Sequence, residues 1–153
     1  MYSKAEAAHR RQAFWTALGQ YMAPVPAADG GPTHWLNYRT GVKHVQIRLY
    51  ADQRSAAISL ELTHPDAAIR ALFYEQLQEL RPALEEAVGE PWIWDAAATT
   101  DHGQPLARVG QELPAANLFE QADWPRLISF FKPRLIGLDA FWHGYRWAFE
   151  ELL

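Results

Sequence analysis

The chain has 153 residues, 49% of them hydrophobic and 21% charged, with seven Trp, no Cys and a formal net charge of −4. A chain this long suits one domain and should bury about 70% of the surface its unfolded form exposes, and its hydrophobic fraction excludes a disordered polymer. The lack of Cys excludes disulfide frameworks, thiolate nucleophiles, Fe–S clusters and thiolate zinc sites, and the acidic balance argues against a generally basic nucleic-acid binder.

The first segment, residues 1–13, is polar, with Lys4, Glu6, His9, Arg10 and Arg11, and lacks the apolar run of a signal peptide. No stretch approaches the ~18 apolar residues of a membrane span, so a soluble cytoplasmic protein with no membrane contact is expected. Ser3 with Glu6 three positions later has the form of a capping box, and Phe14, Trp15, Leu18, Tyr21 and Met22 then recur at helical spacing. Pro24 and Pro26 end that helix, and the loop 27–32 carries Asp29-Gly30-Gly31-Pro32.

Three strands are predicted next, over 33–39, 43–50 and 57–63, joined by turns at Thr40-Gly41 and around 52–55. Val45, Ile47 and Leu49 alternate with polar residues, as do Ile58, Leu60 and Leu62. That period of two points to a half-buried antiparallel meander. His64-Pro65-Asp66 reads as a helix start with Pro in the first turn, followed by the stripe Ile69, Leu72, Phe73, Leu77 and Leu80. Pro82 should kink this helix or begin a second one ending at Gly89. Residues 91–95 read as a short strand, 96–105 as a loop and 106–112 as the return strand. Asp123-Trp124-Pro125 opens a C-terminal helical region that Pro133 should break in two. With no repeat or linker, the expectation is a single α+β domain over 1–153. Its antiparallel β-meander would carry N-terminal, central and C-terminal helices packed on it.

Few residues suggest chemistry. Paired acids and a Lys on a hairpin would suit a metal-dependent nuclease, but here Asp52 precedes Glu61-Leu62-Thr63, and Thr63 stands where the Lys is needed. The six His (9, 34, 44, 64, 102 and 143) show no metal-site spacing, so no metal is expected. Asp101-His102 in a loop has no Ser or Cys nucleophile to serve, and no Gly-rich phosphate loop opens a helix, so no cofactor is expected.

The outer face of the sheet is the more informative region. Pairing of the first two predicted strands would set Trp35, Asn37 and Arg39 on one face with His44, Gln46 and Arg48, and Ser59, Glu61 and Thr63 would extend it. No acid occurs from Gly30 to Ala51, which makes one local basic stretch in an acidic chain. Trp35, Asn37, Arg39, Gln46, Arg48 and Glu61 are therefore the candidate binding residues. An aromatic with Arg, Gln and Asn on a sheet can stack on and hydrogen-bond to single-stranded nucleic acid. The same face could instead dock a protein partner or a second copy, with Trp35, and after it Trp92 or Trp94, as anchors. Trp15, Trp124 and Trp142 read as packing residues.

The order of these features resembles the domain of unknown function 4268 family. The matching stretches are Phe14-Trp15, His34-Trp35-Leu36-Asn37-Tyr38-Arg39-Thr40-Gly41, Val45-Gln46-Ile47-Arg48-Leu49 and Ile58-Ser59-Leu60-Glu61-Leu62. They continue with Leu72-Phe73, Leu77, Leu84-Glu85, Gly89-Glu90-Pro91-Trp92-Ile93-Trp94, Arg108-Val109 and Asp123-Trp124. The match departs from the family over 96–105, where the family's connection is often shorter. The resemblance implies a bacterial module, found alone or attached to restriction-type nuclease-like regions, and it supplies no catalytic residue to carry over. Fold and motifs together lead to a non-enzymatic accessory or interaction module, with a link to nucleic-acid processing or defence implied by analogy. The alternatives are a hydrolase using Glu61 with His34, His44 or Asp101-His102, and a homodimer built through the sheet face.

Overall fold

A computed structural model describes residues 2–152. Ser3 caps the first helix: its Oγ accepts from the Glu6 N–H at 3.1 Å, and α1 runs Lys4–Met22. The reciprocal half of the capping box differs, because the Glu6 carboxylate takes its hydrogen bond from the Ser3 hydroxyl and not from backbone. Phe14, Leu18 and Met22 are sealed in the core, whereas Tyr21 turns outward.

The stretch predicted as the first strand forms none. It holds a single 3-10 turn at Trp35–Asn37, because its side chains do not follow the period of two. Trp35 is buried, with Nε1 donating to the Val25 carbonyl, and Leu36 and Tyr38 also pack against the core. Three core contacts within four residues cannot be made by a strand, whose alternate side chains point apart.

The sheet itself has four strands: β1 (Val45–Ala51), β2 (Ser55–Leu62), β3 (Ile93–Thr99) and β4 (Pro105–Pro114). All pairs are antiparallel and the order is β1-β2-β4-β3, in place of a sequential meander. The helices between β2 and β3 carry the chain to the far edge, and β4 returns to fill the gap. Part of the predicted 96–105 loop belongs to β3, which continues through a bulge between Asp95 and Ala98.

Between these strands lie α2 (Ala67–Glu79) and α3 (Arg81–Val88). Asp66 caps α2, its Oδ1 accepting from Ala68 and Ile69 N–H, so Pro65 lies outside the helix and not in its first turn. Pro82 opens α3, and Gly89 closes it with φ +78°, a conformation natural to glycine. The last helix, α4 (Trp124–Glu150), runs unbroken through Pro133. Proline removes one intrahelical bond, but Phe130, Phe131 and Leu135 around it are buried, and that packing holds the helix together.

Val45, Ile47, Ile58, Leu60, Leu62, Ala107 and Val109 form the core side of the sheet and cluster with apolar side chains of all four helices. Each fully buried Leu, Ile or Phe contributes about 1.5–3 kcal/mol. Trp92 is buried too, its Nε1 donating to Glu90, while Trp94 packs edge-on against Tyr74 on the helix side. Two polar clasps pin the helical layer. Glu90 takes a bidentate bond from Arg134 of α4, at 2.8 and 2.9 Å. Asp139, buried in α4, accepts from the Tyr38 hydroxyl at 2.5 Å and the Ala28 N–H at 2.7 Å. Among the described residues no helix is long and apolar enough to cross a membrane.

Candidate functional site

Alternation gathers one set of side chains on the sheet face away from the core. Gln46, Glu61, Arg108 and Asp95 form one cross-strand row, Arg48, Ser59, Gly110 and Ile93 the next, and Tyr50, Ala57 and Glu112 a third. They line a concavity of about 730 Å³, rimmed by Asp101, His102 and Gln104 of the β3–β4 turn. Its depth comes from small residues at the centre. At Gly110 a Cβ would stand 2.8 Å from the Ile58 carbonyl oxygen and 3.1 Å from Ser59 Cβ, so this row has no space for a side chain.

Glu61 sits on the floor and is only 2% exposed. Its Oε2 accepts from the Tyr50 hydroxyl and the Ser59 hydroxyl, both at 2.7 Å. Its Oε1 makes no hydrogen bond among the described residues. Among the described residues the one buried side-chain polar atom left without a partner is Trp94 Nε1, and Glu61 lines the concavity. Burial, and then the adjoining Glu61 carboxylate, hold the Tyr50 phenol above its ordinary range, with Arg48 acting the other way. Tyr50 therefore remains a donor at neutral pH. Hydrogen bonds to a charged group contribute about 1.5–3 kcal/mol each, so the two hydroxyls fix the carboxylate firmly.

Around Glu61 the lining presents two arginines, Arg48 and Arg108, against four carboxylates: Glu61, Asp95, Asp101 and Glu112. A guanidinium on each side can grip a carboxylate or phosphate, and Glu61 Oε1 can accept an N–H. The balance suits a ligand of mixed charge better than a polyanion.

Of the candidate residues, Gln46, Arg48 and Glu61 come together here. Trp35, Asn37 and Arg39 do not, because the segment carrying them is not a strand: Trp35 lies in the core, and Asn37 and Arg39 are exposed off the concavity. His44 and His64 meet edge to face, with ring centroids 4.7 Å apart, at the end of the β1–β2 hairpin. Burial first, then His64 and Lys43, lower the His44 value below that of an ordinary imidazole. Neither these two nor His34 lines the concavity, whereas Asp101 and His102 do. No group of three or more His, Asp or Glu able to hold a metal ion occurs among the described residues.

Sequence reasoning missed Tyr50, Asp95 and Arg108. The reading of 106–112 as a return strand gave Arg108 no face, and it is strand order that sets it opposite Glu61. Also missed was the pair Asp139 and His143, whose i, i+4 spacing on α4 was the available signal. His143 Nδ1 lies 3.0 Å from Asp139 Oδ1, and its Nε2 lies 3.5 Å from Asp29. Burial, and then its bond to Asp139, raise the Tyr38 phenol well above its ordinary range. Asp29, Asp139 and His143 tie the 27–32 loop to α4, and none of the three lines the concavity.

In comparison with known proteins, the family model described as Domain of unknown function (DUF4268) matches residues 10–146. No curated protein and no solved structure matches.

Proposed function

Because this chain belongs to the domain of unknown function 4268 family, which has no activity to lend it, we propose from its geometry that it is a single-domain, non-enzymatic interaction module. Its partner, a protein segment, seats on the open sheet face over Glu61, Arg48 and Arg108. The observation that carries this reading is the buried Glu61 carboxylate in the lining of the concavity, one oxygen held by two hydroxyls and the other without a hydrogen bond among the described residues. A sheet face that needs only solubility uses exposed charges. A desolvated charge costs several kcal/mol, and on a face that forms no part of the core no packing role offsets that cost. A carboxylate held in this way is preorganised for an incoming N–H.

The charge pattern selects the partner. A protein segment brings N–H groups for Glu61 and carboxylates for Arg48 and Arg108, whereas a phosphate chain would meet four acids and two arginines. Nucleic-acid association therefore draws no support from this face, since Arg39 and Lys43 of the basic stretch are not part of it. Binding is favoured over hydrolysis because Glu61 has one oxygen committed, and the side chain of His102 on the rim has no hydrogen-bonded group to orient it among the described residues. A cytoplasmic setting belongs to the same reading.

Panning a random peptide library on the protein, with Glu61→Gln and Arg48→Ala as counter-selections, tests it. Peptides enriched on the parent protein and lost on both variants are expected. Enrichment indifferent to both substitutions removes the site. Binding of a single-stranded oligonucleotide that weakens steeply with salt and with Arg48→Ala would replace the protein partner by nucleic acid.

A further inference from the structure

The two edges of the sheet are unlike. β3, at one edge, is interrupted by the bulge between Asp95 and Ala98. β1, at the other, runs seven residues with neither bulge nor proline. Edge strands are ordinarily blunted by such devices, because their free N–H and C=O groups template another strand.

Hydrogen bonding at the start of β1 shows which groups are free. The His44 carbonyl accepts from Thr63 N–H, toward β2, while Val45 uses its N–H on Val42 and its C=O on Thr40 Oγ1, away from β2. In an antiparallel pair the direction alternates. Gln46, Arg48 and Tyr50 therefore bond to β2, and the N–H and C=O of Ile47 and Leu49 point outward, with no partner among the described residues. They face a groove of about 440 Å³, with Leu36–Tyr38 forming the opposite wall and Trp15 adding an aromatic surface. Among the described residues the only charged one in its lining is Arg48. Both walls belong to the stretch from Gly30 to Ala51, which contains Arg39, Lys43 and Arg48 and no acid.

We propose that this groove takes an acidic, extended segment of another protein as a fifth strand, paired to Ile47 and Leu49. The backbone groups supply affinity, the aromatic and aliphatic surface takes the alternate side chains, and Arg48 in the lining selects carboxylates on the guest. A second copy of this chain fits less well, since its own β1 would bring Arg48 and the same acid-free stretch against themselves. Arg48 lines both this groove and the concave face, but the readout separates the two, because the Ile47 and Leu49 amides lie on the strand edge and not on that face.

A blocked hexapeptide of alternating Glu and Val is the probe, long enough at about 3.3 Å per residue to span the free groups. Titrated to millimolar concentration into isotope-labelled protein, it should shift the Ile47 and Leu49 amide resonances and slow their hydrogen exchange. The Lys–Val counterpart should bind at least about tenfold more weakly. Methylating alternate peptide nitrogens of the Glu–Val probe should abolish the effect, and Arg48→Glu, checked for a native spectrum, should invert the preference between the two peptides. No perturbation of Ile47 and Leu49, equal binding of both peptides, or binding of the methylated probe overturns the proposal. So does protection of these amides that grows with protein concentration alone, which would assign the edge to a second copy.

Discussion

Gly137 and Ala87 meet backbone to backbone where α4 crosses α3. A Cβ on Gly137 would stand 2.6 Å from the Ala87 carbonyl oxygen and 3.0 Å from Val88 Cα. Two effects oppose each other in Gly137→Ala. Helix propensity favours Ala by about 1 kcal/mol, while overpacking a close contact costs about 1–3 kcal/mol. The obstructing atoms are backbone and cannot rotate aside, so the helices must separate. A net loss of up to about 2 kcal/mol and a Tm lower by up to several degrees are expected. An unchanged Tm in thermal unfolding would mean that the α3–α4 contact yields freely.

Asp139 accepts from Tyr38 and Ala28, and the His143 ring lies 3.0 Å from its carboxylate. Asp139→Ala leaves the half-buried Tyr38 hydroxyl and the Ala28 N–H without their partner, at an expected cost of about 2–4 kcal/mol. His143→Ala should cost less, within about 1 kcal/mol, because its ring is partly solvated. Urea denaturation separates them: equal losses would show that His143, and not Tyr38, is what Asp139 holds in place.

Glu90 gives the chain a pH dependence of definite sign. Burial works to raise its value, but the bonds from Arg134 and Trp92 outweigh that and hold the carboxyl below the ordinary range. A depressed folded value means the stabilisation is fully present above the unfolded carboxyl's value, about 4.3, and is lost as pH falls from there through the folded value. The urea midpoint of the parent protein should therefore fall more steeply below about pH 4.3 than that of Glu90→Gln. Parallel curves for the two proteins would remove Glu90 from the acid transition.

The concave face predicts an asymmetry in stability. Glu61→Gln keeps an acceptor for Tyr50 and Ser59 while removing a buried charge, so it should be neutral within about 1 kcal/mol or stabilising. Tyr50→Phe takes one of two donors from that carboxylate and should cost about 1–3 kcal/mol. A residue kept for binding at the expense of stability behaves in this way. Should Glu61→Gln prove the more damaging of the two in chemical denaturation, the carboxylate is structural.

Signals carried by near neighbours in the chain were legible in the sequence. Ser3 and Gly89 bound their helices as expected, because capping acts within a few residues. The alternation in 45–49 and 58–62 marked β1 and β2 and set Gln46, Arg48 and Glu61 opposite the core, because side-chain direction along a strand is a local property. The absence of Cys settled its exclusions outright, and the order of short motifs sufficed for the family. What stayed hidden depends on residues far apart in sequence. Tyr38 and Asp139 are 101 positions apart, and Ala28 and Asp139 are 111 apart. The insertion of β4 between β2 and β3, which sets Arg108 against Glu61, is a choice of partner strand that no local pattern specifies. Trp35 turned inward because the Val25 carbonyl and the core offered its ring more than a solvated sheet face could. Burial is set by what surrounds a residue, and for Trp35, Pro133 and Glu61 those surroundings exist only once the chain has folded.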